Sequence, residues 1–161
     1  YMQRTLWEPL GMEYDGGWSL DSENSGFEKM EAGLNGRAID FAKFGQLFLM
    51  NGNWNGVQVI SPEWVTASTQ VYPELQQASY YPTEFGQSIY NNGQGYYSYM
   101  WYGYFRDDGS YDFSARGDRG QFIYVSPSKK LVIVRHGENF GLPGDNATWA
   151  RIVYQFVSDF E

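Results

Sequence analysis

Two β-rich segments joined by a short turn constrain the fold of this chain most strongly. Residues 121–125 and 131–135 are dense in β-branched and aromatic side chains, and Ser126-Pro-Ser-Lys129 supplies turn residues between them, so we predict a β-hairpin. Residues 131–134 are apolar at consecutive rather than alternating positions. This pattern predicts a strand that is covered on both faces and sits inside a sheet.

Two glycines, Gly117 and Gly120, leave the backbone bare just before this hairpin. Glycine allows a second backbone or a ligand to approach closely. A β-bulge or bend without any ligand explains the pair equally well. A strand edge whose amide groups face a substrate is therefore one of two open interpretations of this segment.

Helical patterns lie on either side of the β-rich centre. Apolar residues recur at three- and four-residue spacing from Ala38 to Leu49, with Asn35 placed to cap the helix and Asn51-Gly52 to end it. Ser61-Pro-Glu63 combines a capping hydroxyl, a proline and an acid, which predicts the start of a second helix. Another apolar stripe, from Trp149 to Phe160, predicts a closing helix that starts near Asp145 or Asn146.

The aromatic segment at residues 96–105 predicts one more strand, which an Asp107-Asp108-Gly109-Ser110 turn leads back toward Phe113. Residues 71–95 have no regular period, and we expect a long loop whose tyrosines either line a pocket or cover the core. These tyrosines are Tyr80, Tyr81 and Tyr90. Together the patterns predict an α+β fold, with helices flanking an antiparallel sheet of three strands, in a single domain over residues 1–161.

Composition excludes several classes of partner and site. The formal net charge of -8 argues against nucleic acid and anionic membranes as partners, and no apolar run is long enough to span a membrane. Because the chain has no cysteine and one histidine, we expect no metal site and no cofactor. We interpret His136 as a partly buried or helix-facing structural residue rather than as the base of a catalytic triad.

Several segments resemble the C-terminal half of the serine β-lactamase, penicillin-binding protein and related esterase group. Their order and spacing carry the resemblance over nearly the whole chain. They are Pro9-Leu-Gly-Met12, Gly33-Leu-Asn-Gly-Arg-Ala-Ile-Asp-Phe-Ala-Lys-Phe-Gly-Gln-Leu47, Asn51-Gly52, Ser61-Pro-Glu-Trp64 and Ala115-Arg-Gly-Asp-Arg-Gly-Gln121.

The resemblance implies part of a three-layer α/β/α fold and an enzyme that forms an acyl-serine intermediate. The nucleophilic serine, its lysine and the proton-carrying tyrosine are expected in a segment before Tyr1. This chain would then be the C-terminal part of a larger domain, inactive alone, with that segment as its partner. The expected substrate is a small ester, amide or peptide, and a periplasmic or secreted location is favoured over a cytoplasmic one.

The resemblance also assigns the site residues. Ala115, Arg116 and Gly117 occupy the family's Lys/His-Thr/Ser-Gly motif, so the backbone N–H of Asp118 becomes the oxyanion donor. Ala115 and Arg116 replace the groups that normally hold a β-lactam carboxylate, and Arg116 or Arg119 would restore an anion contact. We expect Phe113, Trp101 and Tyr102 in the pocket wall, with ordinary core packing as the alternative.

Other strings and functions remain as alternatives. Ser126-Pro-Ser-Lys129 has the letters of the Ser-x-x-Lys motif but falls in a turn, and we attribute it to chance, like Ser22-Glu-Asn24 and Tyr90-Asn-Asn92 in loops. The main alternative function is a non-catalytic aromatic carbohydrate-binding module. Adhesion through Arg116-Gly-Asp118 ranks below it, and no carboxylate pair is singled out by spacing as a glycosidase would require.

Overall fold

The fold is described by a computed structural model that covers residues 1–29, 32–72, 95–141 and 146–160. Short elements precede the main sheet. The first is a π-helical turn at Gln3–Trp7, and two small hairpins pair β1 (Gly17–Trp18) with β2 (Leu34–Asn35) and β3 (Asn53–Trp54) with β4 (Val57–Gln58). Helix α1 (Ala38–Leu49) lies between these hairpins, and α2 (Pro62–Thr69) follows them.

A five-stranded antiparallel sheet forms the centre, and each of its strands pairs with the next along the chain. The strands are β5 (Gly95–Ser98), β6 (Trp101–Phe105), β7 (Tyr111–Arg116), β8 (Phe122–Ser126) and β9 (Leu131–Arg135). A 3-10 turn, Asp118–Gly120, connects β7 to β8, and helix α3 (Asn146–Ser158) closes the chain.

Alternation along the strands divides the core into two layers. Ile123 and Val125 of β8 face α1 and α2, where they join a cluster that contains Phe48 and Val65. The intervening Tyr124 points to the other face and packs with the buried apolar residues of α3. Helices therefore cover both faces of the sheet, which confirms the predicted α+β class and the three-layer α/β/α arrangement.

The ends of α1 and α2 show which of the predicted capping residues are used. Gly52 N–H donates to the Leu47 carbonyl at 2.8 Å and closes α1, and Ser61 Oγ caps α2 by accepting from Trp64 N–H at 3.1 Å. The predicted Asn35 cap is wrong, because Asn35 belongs to β2 and Arg37 occupies the cap position of α1. At Gly45 an added Cβ would lie 2.6 Å from Val132 Cγ1, so a glycine lets α1 pack closely on β9.

Two strand predictions need correction. The aromatic segment at residues 96–105 forms two strands, because Tyr99 and Met100 adopt φ of 43° and 74° and make a tight hairpin between β5 and β6. Residues Tyr111–Arg116, which were not predicted as a strand, form β7, so the described sheet has five strands instead of three. Helices cover both faces of β9 as expected, but β9 pairs only with β8 and lies at an edge of the described sheet.

Some predictions lie outside the described residues. They concern residues 73–94 of the predicted long loop, with Tyr80, Tyr81, Tyr90 and the Tyr90-Asn-Asn92 string, and the Asp145 cap. Within the described ranges, no helix is both long enough and apolar enough to cross a membrane.

Candidate active site

A cleft of about 820 Å³ opens at the end of the sheet where β7 connects to β8. Residues 115–119 and 121–123 form one wall, and residues 32–36 with Trp18 form the wall opposite. Residues 136–138, which directly follow β9, close a third side. The glycine-rich segment that the sequence singled out therefore borders a cavity large enough for a small organic molecule.

In the described ranges, no strand pairs with Arg116 or Asp118 on the side of β7 that faces away from β8. Pairing between β7 and β6 reaches only Ser114, opposite Tyr102, because β6 ends at the hairpin with β5. On the other side, Gly117 N–H still donates to the Gln121 carbonyl at 2.9 Å. Since successive amides of an extended chain point in opposite directions, the N–H groups of Arg116 and Asp118 point away from β8. Among the described residues, no protein acceptor pairs with the Asp118 N–H.

A 3-10 turn orients this amide. Gln121 N–H donates to the Asp118 carbonyl at 3.2 Å, and the turn is completed by Arg119 and Gly120 at φ of 57° and 79°. Glycine adopts this left-handed conformation without steric cost, so Gly120 has a backbone reason to be present. The Asp118 and Arg119 side chains are 86% and 66% exposed and form an ion pair with an N–O distance of 3.7 Å.

The predicted site residues separate into two groups. Ala115, Arg116, Gly117, Asp118 and Arg119 line the cleft together. The other three do not line it. Phe113 and Trp101 are buried in the core cluster beneath α1, and Tyr102 packs in the cluster beneath α3.

The pocket-wall assignment of these aromatic residues is therefore replaced by core packing. Trp101 and Phe113 are only 5% and 2% exposed. The physical reason is the direction of their side chains: Trp101 and Phe113 point into the core cluster beneath α1, and Tyr102 points into the cluster beneath α3.

Arg116 and Arg119 differ in their availability to a ligand. The Arg116 guanidinium stacks over the Tyr102 ring at 4.3 Å and donates to the Tyr104 hydroxyl, on the side of the sheet that α3 covers. Arg119 is the exposed cation beside the cleft. Of the two arginines, Arg119 is therefore the more accessible from the cleft, whereas Arg116 is half-buried.

The sequence did not predict that Trp18, Asn35 and Phe41 line the cleft, because no sequence pattern places their segments beside β7. His136 also lines the cleft, and its ring meets the Phe41 ring edge-on at a centroid distance of 4.7 Å. This contact with α1 fits the predicted helix-facing histidine. Burial lowers the pKa of the His136 imidazole, so the neutral form is favoured.

The Ser-x-x-Lys string does not form a catalytic pair. Ser126 is buried at the end of β8, and Lys129 Nζ donates to the Phe160 carbonyl at 2.6 Å instead. Ser22 lies in an exposed turn, where its hydroxyl pairs with that of Ser25. In the part of the chain that the structure describes, no three His, Asp or Glu side chains converge as a metal site would require.

Comparison with solved structures shows which known proteins share this fold. A solved structure described as "Putative 6-aminohexanoate-dimer hydrolase from Bacillus anthracis" matches 98% of this chain with 26% identity and a TM-score of 0.70. Another, described as "Crystal structure of putative beta-lactamase from Bacteroides dorei DSM 17855", matches 95% with 17% identity and a TM-score of 0.61. No protein-family model and no curated protein matches the sequence.

Both structural neighbours are serine β-lactamase-like proteins, and the chain spans 36% and 49% of their respective lengths. Both comparisons cover nearly all of this chain, including its antiparallel sheet and flanking helices. The chain therefore has the fold of part of these serine β-lactamase-like proteins, as the sequence resemblance implied.

Proposed function

We propose that this chain is part of a serine hydrolase that works through an acyl-serine intermediate. The observation that carries the proposal is the Asp118 N–H, which has no protein acceptor among the described residues and lies at a strand edge beside a cleft. An amide in this setting is suited to bind the oxygen of a substrate carbonyl. The hydrolase-like neighbours support the general reaction class, and a segment before Tyr1 would supply the nucleophile.

The proposed chemistry assigns this chain an electrostatic role. A serine hydroxyl attacks the substrate carbonyl carbon, and the carbonyl oxygen becomes an oxyanion. The Asp118 N–H and the N–H of the nucleophile donate to this oxyanion and lower the barrier. Collapse of the tetrahedral intermediate expels the alcohol or amine, which takes up the proton that the serine hydroxyl lost, and leaves an acyl-serine that water then hydrolyses. Residues 32–36 and 136–138 would form substrate-facing walls.

The side chains at the cleft favour a linear ester, amide or peptide over a β-lactam. Ala115 replaces the Lys or His that usually meets a β-lactam carboxylate, and the Arg116 guanidinium is held against Tyr102. One structural neighbour is described as a hydrolase of the 6-aminohexanoate dimer, and such a dimer of an amino acid is a linear amide. We expect the intact protein to hydrolyse a p-nitrophenyl ester faster than nitrocefin, a chromogenic β-lactam; the reverse order would reject this substrate class.

The carbohydrate-binding alternative is not supported by the fold. Such modules are usually all-β, whereas α1, α2 and α3 pack on both faces of this sheet. We therefore propose no second function.

The test of the oxyanion role compares two substitutions at one position in the intact protein. Asp118→Pro removes the N–H, and Gly117 is compatible with a following proline because its ψ is 173°. We expect kcat for p-nitrophenyl ester hydrolysis to fall about 10²- to 10³-fold, the usual cost of losing one oxyanion donor. Asp118→Ala keeps the N–H and removes only the carboxylate, so it is the matched control and should retain most of the activity.

Full activity in both variants would reject Asp118 as an oxyanion donor. Equal losses would assign the effect to the carboxylate instead. Circular dichroism and thermal unfolding of both variants would establish that the fold is retained.

A further inference from the structure

Arg135, the last residue of β9, holds the turn that carries the proposed oxyanion amide. Its Nη1 donates to the carbonyls of Arg119 and Gly120 at 3.2 and 2.8 Å. Its Nη2 donates to the carbonyls of Asn139 and Phe140 at 2.9 and 3.1 Å. One guanidinium thus joins the 118–120 turn to the segment that follows β9.

The aromatic ring of Trp149 fixes the guanidinium from α3. The Arg135 guanidinium carbon lies 4.4 Å from the ring centroid, a distance at which a cation is attracted to the ring face. Trp149 Nε1 donates to the Phe140 carbonyl at 2.6 Å, which is also bonded by Arg135. The arginine, the tryptophan and the loop carbonyl therefore form one closed network.

Three glycines make room for this guanidinium. An added Cβ would lie 2.7 Å from Arg135 Nη1 at Gly120, 2.7 Å from it at Gly137, and 3.1 Å from Nη2 at Gly141. Contacts this short exclude any larger residue unless the arginine moves. Gly120 is thus required by the arginine as well as by its own backbone conformation.

Gln121 provides a second connection between the same segments. Its side-chain amide donates to the Gly137 carbonyl, and its Oε1 accepts from Gly137 N–H at 3.1 Å. Gln121 and Arg135 together hold the 119–121 side of the turn to residues 137–140, which follow β9. In the part of the chain that the structure describes, no carboxylate pairs with Arg135, so its donors are directed to backbone carbonyls.

The geometry points to Arg135 as a positioning residue for the reaction. It fixes the carbonyls of Arg119 and Gly120 and, through them, the direction of the Asp118 N–H, without itself touching the reacting atoms. This inference rests on the proposed function. A displacement of about 1 Å at a catalytic group costs up to about 10²-fold in rate, so loss of Arg135 lowers kcat more than it raises KM.

The test uses Arg135→Ala and Arg135→Lys in the intact protein with a p-nitrophenyl ester. We expect kcat to fall about 10- to 100-fold in Arg135→Ala, with KM within about threefold of the unsubstituted value. Lysine keeps the charge but cannot bridge two segments with a planar fork, so Arg135→Lys also loses kcat. Arg151→Ala removes an exposed arginine of α3 and is the matched control, with unchanged kcat expected.

Chemical rescue separates positioning from a general structural role. Guanidinium ions, at concentrations too low to unfold the protein, should restore part of the kcat of Arg135→Ala and none of that of Asp118→Pro. If Arg135→Ala does not fold, the test uses Arg135→Lys, which keeps a cation that can lie over the Trp149 ring. Unchanged kcat in either folded variant, or a loss confined to KM, would overturn the positioning role alone. No turnover by the unsubstituted protein would overturn the proposed function and the positioning role together.

Discussion

An arginine closes each end of the central sheet, and the two arginines are bound in opposite ways. Arg106, in the turn after β6, pairs with Asp112, which is completely buried, and the Arg106 Nε–Asp112 Oδ2 distance is 2.7 Å. Arg135, at the cleft end, binds four backbone carbonyls. Both lie over an aromatic ring of α3: Arg106 over Tyr154 at 3.9 Å and Arg135 over Trp149 at 4.4 Å.

Because the two arginines have different partners, we expect one end of the sheet to matter for stability and the other for the proposed reaction. At the Arg106 end, the guanidinium pairs with the buried Asp112 carboxylate, and the Tyr124 hydroxyl donates a hydrogen bond to Asp112 Oδ2 at 2.7 Å. Burial, followed by the negative charge of Asp112, raises the pKa of the Tyr124 hydroxyl, so it stays a donor. At the Arg135 end, no carboxylate of the described residues pairs with the guanidinium. Its hydrogen bonds hold the 118–120 turn beside the cleft instead. We expect the first end to contribute to stability and the second to position the amide that we propose as the oxyanion donor.

Removal of the buried carboxylate should have the largest effect on stability. Asp112→Ala leaves the Arg106 charge unpaired where its side chain is only 11% exposed, and we expect the free energy of unfolding to fall by about 3–5 kcal/mol. Urea denaturation measures this loss. Glu13→Ala, which breaks the surface pair with Lys43, is the control and should cost less than about 1 kcal/mol. Similar costs for the two variants would show that the Arg106 end is not held by its buried charge pair.

Two glycines allow a matched comparison of the two ends. Gly109, in the turn beside Arg106, and Gly120, in the turn beside the cleft, have nearly equal φ of 81° and 79°. An added Cβ meets nothing within 4 Å at Gly109 but would lie 2.7 Å from Arg135 Nη1 at Gly120. Gly109→Ala should therefore cost only the backbone term, about 1–2 kcal/mol.

Gly120→Ala should cost about 1–3 kcal/mol more, because the methyl group displaces the guanidinium. It should also lower ester turnover, whereas Gly109→Ala should not. Urea unfolding and kcat of both variants give the comparison. Equal stability losses and equal activities would mean that the space around Arg135 has no role at the cleft.

The sequence predicted the elements that depend on local signals. The apolar spacing of residues 38–49, the Ser61 cap and the β8–β9 hairpin all involve residues close together in the chain, and the structure contains each of them. The hairpin at Tyr99 and Met100 gave no signal, because both residues adopt positive φ without being glycine.

The site was predicted in part, for a similar reason. The Gly117–Gly120 pair marks a bare backbone, and that segment does line the cleft. Arg135 was missed because its partners are backbone carbonyls, which carry no residue-type signature. We predicted Trp101 and Phe113 in the pocket wall because the sequence does not show which face of each strand a helix covers.

The smallest expected effect concerns His136 at the cleft. Burial lowers its folded-state pKa below the unfolded value of about 6.5, so the folded state binds fewer protons. The stability that the neutral imidazole contributes is present above about pH 6.5 and is lost as pH falls through the folded-state pKa. The side chain is largely exposed, so the effect is strongly screened.

His136→Gln removes this titration. The urea midpoint of the unsubstituted protein should therefore fall slightly more between pH 7.5 and pH 5 than that of the variant. Parallel pH dependences would show that the imidazole is fully solvated in the cleft.

We propose that the Asp118 N–H binds the oxygen of a reacting carbonyl, and an amide NMR spectrum of the intact protein would detect that bond. A boronic acid forms a tetrahedral adduct with an active-site serine and directs an oxygen toward the oxyanion position. In the intact protein labelled with ¹⁵N-aspartate, we predict that an arylboronic acid shifts the Asp118 amide proton downfield and leaves that of Asp108, in the opposite turn, unchanged. If the enzyme is inhibited but the Asp118 amide resonance does not move, Asp118 is not an oxyanion donor.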